Sequence, residues 1–286
     1  MSKPSAAINY RDLLAQAIEA LADTSSRPKV DAETLLQHAV KQSSAWLIAH
    51  NSDLVTLEDT ESYLSLVERR TKGEPIAYML GYKEFWSLRL KVNQHVLIPR
   101  SDTETLVEQA LLKLDTQKKL NVLDLGTGSG AIALAIAKER PRVKVVAVDS
   151  QSGALDVAKT NAYTNKIDNV SFTLSDWFDG IPAIKFDLIV SNPPYVEAND
   201  QHLKQGDLRF EPNSALIGGG DGLDDIKKII LISPSFLANG AYLLLEHGFD
   251  QHKLVEKLML DAGFIEIENT KDINDLPRCT TGIWPS

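Results

Sequence analysis

A glycine-rich turn between an apolar run and a helical segment constrains the fold of this chain more than any other feature. Residues 122–125 are mostly apolar, residues 131–139 have helical spacing, and between them lies the turn Gly126-Thr127-Gly128-Ser129-Gly130. Glycines let the backbone bend sharply where other residues would be strained. The segment is therefore predicted to be a strand, a tight turn and a helix.

Strand and helix patterns keep alternating after this turn. Short apolar runs predict strands at residues 122–125, 143–148, 170–174, 186–190, 241–245 and 264–267. Helical spacing predicts helices at residues 131–139, 154–163, 224–237 and 251–262. Buried runs that alternate with helices are typical of a doubly wound, mostly parallel sheet covered on both faces. The predicted class is α/β, with a Rossmann-like sheet domain at residues 100–286.

The N-terminal segment lacks this strand pattern. Leu13, Ala17 and Leu21 recur at helical spacing, and the segment ends in two arginines followed by Gly73, which is a helix stop signal. We therefore predict a small helical bundle domain at residues 1–73.

A third pattern joins the two predicted domains. Residues 85–92 mix aromatic and branched side chains with alternating polar ones, as strands do. We predict a β-hairpin linker at residues 74–99.

Composition narrows the class of protein further. The chain of 286 residues carries 30 basic and 39 acidic side chains, a formal charge of −9, which does not favour sequence-independent binding to nucleic acid. The single cysteine, Cys279, allows no internal disulfide, and the spacing of the histidines predicts no metal site. No apolar run is long enough to span a membrane, and no secretory signal is recognisable. A cytoplasmic protein is expected.

The glycine turn and two later residues predict a nucleoside-containing ligand. The third glycine of the turn follows the second by two residues, whereas the dinucleotide fingerprint requires three, so the spacing favours S-adenosylmethionine over NAD. Asp149 ends the second predicted strand, where a carboxylate can accept hydrogen bonds from ribose hydroxyls. Asp176 and Trp177 follow the third strand, where they would flank an adenine.

The tetrapeptide Asn192-Pro193-Pro194-Tyr195 follows the fourth predicted strand. Its prolines have no N–H to donate, so nearby carbonyl oxygens remain free to accept hydrogen bonds. The Asn192 amide offers another acceptor, and Tyr195 offers a ring face. Together these groups predict a socket for a planar –NH2 group.

In these motifs the chain resembles the bacterial peptide chain release factor glutamine methyltransferases. The resemblance covers nearly the whole chain. Its motifs include Gly73-Glu74-Pro75, Glu84-Phe85-Trp86-Ser87, Leu97-Ile98-Pro99-Arg100-Ser101-Asp102-Thr103-Glu104, the glycine turn, the Asn-Pro-Pro-Tyr tetrapeptide and Gly206-Asp207-Leu208-Arg209-Phe210-Glu211-Pro212. This chain has Ser101 where the family often has proline.

The resemblance implies methyl transfer from S-adenosylmethionine to the side-chain amide nitrogen of the glutamine in the Gly-Gly-Gln loop of class 1 release factors. It assigns cofactor binding to Gly126, Thr127, Gly128, Ser129, Gly130, Asp149, Trp177 and Asn192. It assigns substrate binding to Asn192, Pro193, Pro194 and Tyr195, with Asn192, Pro193 and Tyr195 as the catalytic group. A monomer that docks release factors through residues 1–73 is expected.

Two further positions are left with alternative roles. Arg100 either pairs with a carboxylate or contacts the partner protein. Residues 196–222 either wall the substrate pocket or contact the release factor, or they form a structured excursion that makes neither contact.

Other functions remain as alternatives. An adenine N6 or guanine N2 methyltransferase of nucleic acid would use a similar socket, because its target is also a planar amine. A non-catalytic module would have no need of Asp149 or Asn192. An NAD-dependent oxidoreductase would leave the tetrapeptide 192–195 unexplained.

Overall fold

The N-terminal segment folds into helices, as its apolar spacing predicts. The computed structural model describes residues 7–182 and 184–286, so the first six residues of the predicted helical domain lie outside the described residues. The helices are α1 (Tyr10–Leu21), α2 (Pro28–Val40), α3 (Ser44–Ala49), α4 (Leu57–Thr71) and α5 (Ile76–Leu80). Leu13, Leu35 and Tyr63 are buried in their shared core. The Asn9 side chain caps α1 by accepting from the Asp12 N–H at 2.8 Å.

Packing divides the chain into two compact units. The first comprises the residues up to Gly81 together with Lys204–Phe210, and the second comprises Tyr82–Leu203 together with Glu211–Ser286. Part of the long segment 196–222 thus belongs to the helical unit.

A buried arginine attaches this distant segment to the helices of the first unit. Arg70 Nε donates to Asp31 at 2.7 Å, and Arg70 Nη1 donates to Asp207 at 2.8 Å. Arg209 Nη2 also donates to the Lys72 carbonyl at 2.7 Å. Because Arg70 is buried and charged, its two carboxylate partners offset the cost of removing it from water.

The predicted hairpin is present, but its boundaries differ from the pattern. Strands β1 (Tyr82–Phe85) and β2 (Leu88–Lys91) pair antiparallel. Trp86 and Ser87, which lie within the strand-like segment 85–92, form the turn, and both have positive φ (49° and 54°), as a two-residue hairpin turn requires. The position of this turn was not predicted, because strand-like composition does not reveal backbone handedness. Helix α5, also unpredicted, precedes the hairpin.

The second unit is built on one seven-stranded sheet. Its strands are β3 (Asn121–Leu125), β4 (Lys144–Asp149), β5 (Val170–Leu174), β6 (Phe186–Ser191), β7 (Leu237–Glu246), β8 (Ile265–Lys271) and β9 (Pro277–Ile283). Their order is β5-β4-β3-β6-β7-β9-β8, and only β9 pairs antiparallel with its neighbours. The helices are α6 (Glu104–Lys113), α7 (Ala131–Glu139), α8 (Ser152–Thr164), α9 (Asp224–Ile232) and α10 (His252–Asp261). Residues on both faces of the sheet are buried, which confirms the predicted α/β class.

One predicted helix has the wrong end in this region, and one strand was not predicted. The helix predicted over residues 224–237 ends at Ile232, because Pro234 cannot continue it, and β7 begins at Leu237. Strand β9 was not predicted, since its buried residues include Cys279, Thr280 and Thr281 rather than an apolar run.

The strand order places the candidate site. The chain runs from β3 outward to β5 and then returns to β6 on the other side of β3. Ligands of open α/β sheets bind at such a switch point, beside the carboxyl ends of the strands. The glycine turn follows β3, Asp149 ends β4, and Asn192 follows β6, so all lie at this edge.

A buried asparagine stabilises the glycine turn against the hairpin. Asn161 Nδ2 donates to the carbonyls of Lys91 (3.0 Å) and Ser129 (2.8 Å), while its Oδ1 accepts from the Lys91 N–H at 2.6 Å. We expect Asn161→Ala to lower the free energy of unfolding of the second unit by about 2–4 kcal/mol, because buried backbone groups lose their partners. Denaturant unfolding measures this. Thr160→Ala, on the same helix but exposed, should change it by about 0.5 kcal/mol or less; equal losses would contradict the prediction.

Candidate active site

A cavity of about 300 Å³ opens at the switch point of the second unit. Sites for small ligands typically begin at this size. It is bordered by the glycine turn, by residues after β4, β5 and β6, and by the segment before α6. The sequence-predicted residues that line it are Gly126, Thr127, Gly128, Ser129, Asp149, Asp176, Trp177, Asn192 and Pro194. Gly130, Pro193 and Tyr195 do not line it.

The glycine turn exposes backbone to the cavity. Gly126, Gly128 and Gly130 have φ of 70°, 53° and 84°, a left-handed conformation that favours glycine. A Cβ on Gly130 would lie 3.1 Å from Leu134, so this glycine allows the turn to pack on its helix. A Cβ at Gly128 would meet nothing within 4 Å, so a ligand can approach the backbone there.

A buried carboxyl supports the turn from below. Asp124 is inaccessible to solvent, and its Oδ2 accepts from the Thr127 hydroxyl at 2.6 Å. Burial raises the pKa of Asp124 to about 7, although the Thr127 hydrogen bond opposes this change. We assigned no separate role to Asp124 from the sequence, and its position inside the apolar run of β3 was the available signal.

Asp149 is positioned by two backbone groups. Its Oδ2 accepts from the Gly128 N–H at 2.9 Å and its Oδ1 from the Gln151 N–H at 2.9 Å. Burial raises the pKa of Asp149, and these backbone hydrogen bonds favour its charged form. Because an ionised carboxyl has about four acceptor sites, the side chain can accept further hydrogen bonds from a ligand.

Trp177 covers the glycine turn in a strained conformation. Its φ is 50°, which is uncommon for a bulky residue. The indole ring lies 3.5 Å from where a Cβ of Gly126 would be, and its Nε1 donates to Asp225 at 3.1 Å. Asp176 also lines the cavity and forms an ion pair with Lys228, at 3.0 Å. A flat aromatic face at the cavity wall is thus held by Asp225, a residue that we did not predict.

The end of β6 places Asn192 in the cavity. Ser191 Oγ donates to the Leu125 carbonyl at 2.8 Å, joining β6 to β3 below the site. Asn192 Nδ2 donates to Thr103 Oγ1 at 3.2 Å. This hydrogen bond orients the amide so that its oxygen is left to accept.

Tyr195, which we predicted to offer a ring face to the substrate, does not line this cavity. Its hydroxyl donates to Glu246 Oε1 at 3.3 Å, and its carbonyl accepts from Gln251 Nε2 at 3.1 Å. Burial raises the pKa of Tyr195. The ring packs against the apolar residues beneath the sheet edge. Tyr195 therefore fixes the tetrapeptide to the sheet.

Two glycines hold the tetrapeptide from outside. A Cβ on Gly218 would lie 2.3 Å from the Pro194 carbonyl oxygen, and one on Gly222 would lie 2.4 Å from the Tyr195 carbonyl oxygen. Only glycine allows such close approach. Gly222 also has φ of 70°. Sequence reasoning did not assign either residue a role.

The alternatives for Arg100 are partly resolved. Arg100 forms an ion pair with Glu211, whose other oxygen accepts from the Ile98 N–H at 3.0 Å. Arg100 also lines the cavity, as do Pro212 and Ser214. Part of the segment 196–222 therefore walls this cavity.

The structure also bears on metals and membranes. Within residues 7–182 and 184–286, no group of three His, Cys, Asp or Glu side chains could hold a metal ion. No helix in that part of the chain is long and apolar enough to cross a membrane.

The residues at the cavity fit S-adenosylmethionine. Asp149 could provide acceptors for ribose hydroxyls, Trp177 a ring face for adenine, and Gly128 an approachable backbone. The open space at Gly128, where a Cβ would meet nothing, is the observation that allows a close ligand. These groups would hold the nucleoside, and Asn192 lies at the same cavity.

The ribose role of Asp149 can be tested by binding. We expect Asp149→Asn to raise the Kd for S-adenosylmethionine about tenfold to a hundredfold, because hydrogen bonds to a charged acceptor contribute about 1.5–3 kcal/mol. Calorimetry measures the Kd directly. Asp156→Asn, an exposed change on α8, should leave it unaltered, and an unchanged Kd for Asp149→Asn would refute the assignment.

Comparisons with known proteins agree with this architecture. Residues 12–81 match the family model "PrmC N-terminal domain", and residues 102–214 match "Methyltransferase small domain". A solved structure of a methyltransferase from Pyrococcus furiosus superposes with a TM-score of 0.53 at 16% identity, covering 77% of this chain and 98% of that one. This likeness shows the class I methyltransferase fold.

Closer relatives are found among curated proteins. The release factor glutamine methyltransferase of Xylella fastidiosa is 47% identical over 90% of this chain and 94% of its own length. The Escherichia coli protein of the same name is 44% identical over 96% of this chain and 99% of its own. The chain belongs to the release factor glutamine methyltransferase family.

Proposed function

We propose that this protein transfers a methyl group from S-adenosylmethionine to the side-chain amide nitrogen of the glutamine in the Gly-Gly-Gln loop of class 1 release factors. One observation carries the proposal. Asn192 lines the cavity with its –NH2 donated to Thr103, so its oxygen is available to accept from a substrate amide. Membership of the family supports the identity of the substrate.

The residues of the glycine turn 126–130, with Asp149 and Trp177, hold the cofactor. When bound, its sulfonium supplies an electrophilic methyl group, which is the demanding part of the chemistry. The protein has to present a nitrogen lone pair toward that methyl group.

Orientation of the glutamine is the task of the tetrapeptide. An amide nitrogen is a poor nucleophile, because its lone pair is delocalised into the carbonyl. The Asn192 oxygen and the Pro193 carbonyl oxygen each accept one N–H of the glutamine, which favours a pyramidal nitrogen. Pro194 gives the segment a rigid backbone without a competing donor. Holding the nitrogen in line with the methyl group lowers the activation barrier, because the entropy of orientation is already lost on binding.

Proton release follows methyl transfer. The nitrogen becomes acidic as the new bond forms, so its proton can leave to water without a general base. Tyr195, assigned to the catalytic group, contributes by fixing the tetrapeptide, since its hydroxyl is committed to Glu246.

The helical unit is proposed to dock the release factor. A single glutamine at a loop tip provides little specificity, and a second contact raises affinity through effective concentration. Residues 1–73 contain exposed apolar side chains, Ile48 and Leu57 among them, which are 71% and 64% exposed. The domain limits 1–73, 74–99 and 100–286 remain proposals. The protein is proposed to act in the cytoplasm as a monomer, without direct contact to nucleic acid.

The reaction itself is tested by mass. Incubating release factor with the protein and S-adenosylmethionine should add about 14 Da, the mass of one methylene, to the Gly-Gly-Gln peptide. Asn192→Ala should lower kcat about a hundredfold to a thousandfold, the range found when one preorganised hydrogen-bonding group is removed from the oxyanion hole of a hydrolase. The Kd for the cofactor should change by about threefold or less. Methyl incorporation into DNA or RNA without glutamine methylation would favour the adenine N6 or guanine N2 alternative.

Docking is tested by comparing substrates. The KM for a short Gly-Gly-Gln peptide should exceed that for full-length release factor by about tenfold or more. The double variant Ile48→Ser/Leu57→Ser should raise KM for the full-length substrate only. Equal KM values for peptide and protein would refute a second contact.

A further inference from the structure

Behind the tetrapeptide lies a buried carboxyl, Glu246. The proposed reaction gives this carboxyl no direct role. Glu246 ends β7 and is 1% exposed. Its predecessor, Leu245, pairs in register with Ser191, the last residue of β6. Glu246 is therefore one residue past the last β6–β7 pair, level with the start of the tetrapeptide, and it still pairs with Cys279 of β9. Burying an ionised carboxyl is costly unless it is paired and hydrogen-bonded.

The contacts of Glu246 reach both ends of the tetrapeptide. At one end, Tyr195 donates its hydroxyl to Glu246 Oε1 at 3.3 Å. At the other end, Thr103 accepts from Asn192 at 3.2 Å, and the Thr103 hydroxyl also interacts with the Glu246 carboxyl. The carboxyl is thus linked directly to Tyr195 and, through Thr103, to Asn192.

The second oxygen of this carboxyl, Oε2, has no hydrogen-bond partner among residues 7–182 and 184–286. Arg278 influences the carboxyl at a distance but is hydrogen bonded to Asp272 at 3.1 Å and lies 3.6 Å from Asp102.

We propose that Glu246 is a positioning residue for methyl transfer, holding Tyr195 through its hydroxyl and Asn192 through Thr103. The inference rests on the proposed function, because it concerns the geometry in which the glutamine amide is bound. Glu246 itself does not line the cavity. Its effect reaches the substrate through the acceptor oxygens of residues 192–193.

The charge of Glu246 should change within the physiological pH range. Burial raises the pKa of Glu246 to about 7, while Thr103, Arg278 and Tyr195 oppose the change. Other titratable groups that influence it are Asp102, which raises this pKa, and Cys279, the partner of Glu246 on β9. The ionised carboxyl accepts from both hydroxyls, whereas the protonated carboxyl carries a proton of its own and accepts less well. The well-positioned state is therefore present above the pKa and lost below it.

The experiment measures kcat for full-length release factor at saturating cofactor from about pH 6 to about pH 8. For a group with a pKa near 7, the ionised fraction rises from about one-tenth to about nine-tenths, so wild-type kcat should rise about fivefold to tenfold. Glu246→Gln retains the size of the side chain and cannot ionise. Its kcat should be low and nearly independent of pH, with KM and cofactor Kd within about twofold of wild type.

Two further variants separate positioning from stability. Tyr195→Phe removes the hydroxyl donor and should flatten the same pH profile, and combining it with Glu246→Gln should cost no more than the larger single effect. Glu268→Gln makes the same change on an exposed carboxyl of β8 and should retain the wild-type profile. Melting temperatures of all variants are compared to establish that each is folded.

The outcomes are distinguishable. A wild-type pH profile in Glu246→Gln or in Tyr195→Phe would overturn the inference. So would a fall in melting temperature and cofactor affinity that accounts for the whole loss of rate while the pH dependence remains. If wild-type protein methylates no release factor at any pH, the proposed function itself fails, and this inference fails with it.

Discussion

The pairing of β3 with β6 is the interaction on which the site depends. The two strands run parallel, and their last residues, Leu125 and Ser191, are in register. Ser191 also donates its hydroxyl to the Leu125 carbonyl at 2.8 Å. Each strand is followed at once by a functional segment, the glycine turn after β3 and the Asn-Pro-Pro-Tyr tetrapeptide after β6. A shift of one residue in this register would separate the ligand-binding backbone from the acceptor oxygens.

Around this pairing, the site is supported by carboxyls that have little access to water. Asp124 supports the glycine turn through Thr127, and Glu246 supports the tetrapeptide through Tyr195. Burial raises the pKa of each of these two carboxyls to about 7. Asp149, which is less enclosed, remains available to a ligand. The three carboxyls lie at the ends or in the interior of different strands, so the rigid sheet fixes their separation.

Local pattern was sufficient for most of the sheet and for the segments at its edge. Buried parallel strands are continuous apolar runs, so β3, β4 and β6 could be predicted, and the glycine turn had a distinctive spacing. Strand β9 could not be predicted, because its buried threonines cannot be distinguished from surface threonines in the sequence. The Trp86-Ser87 turn depends on backbone handedness that neither residue type favours. The contacts of Glu246 and Gln251 with Tyr195 depend on the sheet order, which only the fold supplies. The roles assigned to the site residues stay predictions until binding and rates are measured.

The acceptor character of the tetrapeptide has a consequence for specificity. Pro193 and Pro194 have no N–H, and Asn192 has donated its own –NH2 to Thr103. Under the proposed function, a substrate amide therefore meets the Asn192 side-chain oxygen and the Pro193 carbonyl oxygen. A glutamine amide meets them with two N–H donors, whereas a glutamate carboxylate would bring only negatively charged acceptors. Because buried acceptors facing acceptors are repelled and left unsatisfied, the difference between the two side chains is large. Under the proposed function, recognition of the amide therefore depends on the N–H groups that the two prolines lack as well as on the oxygen of Asn192.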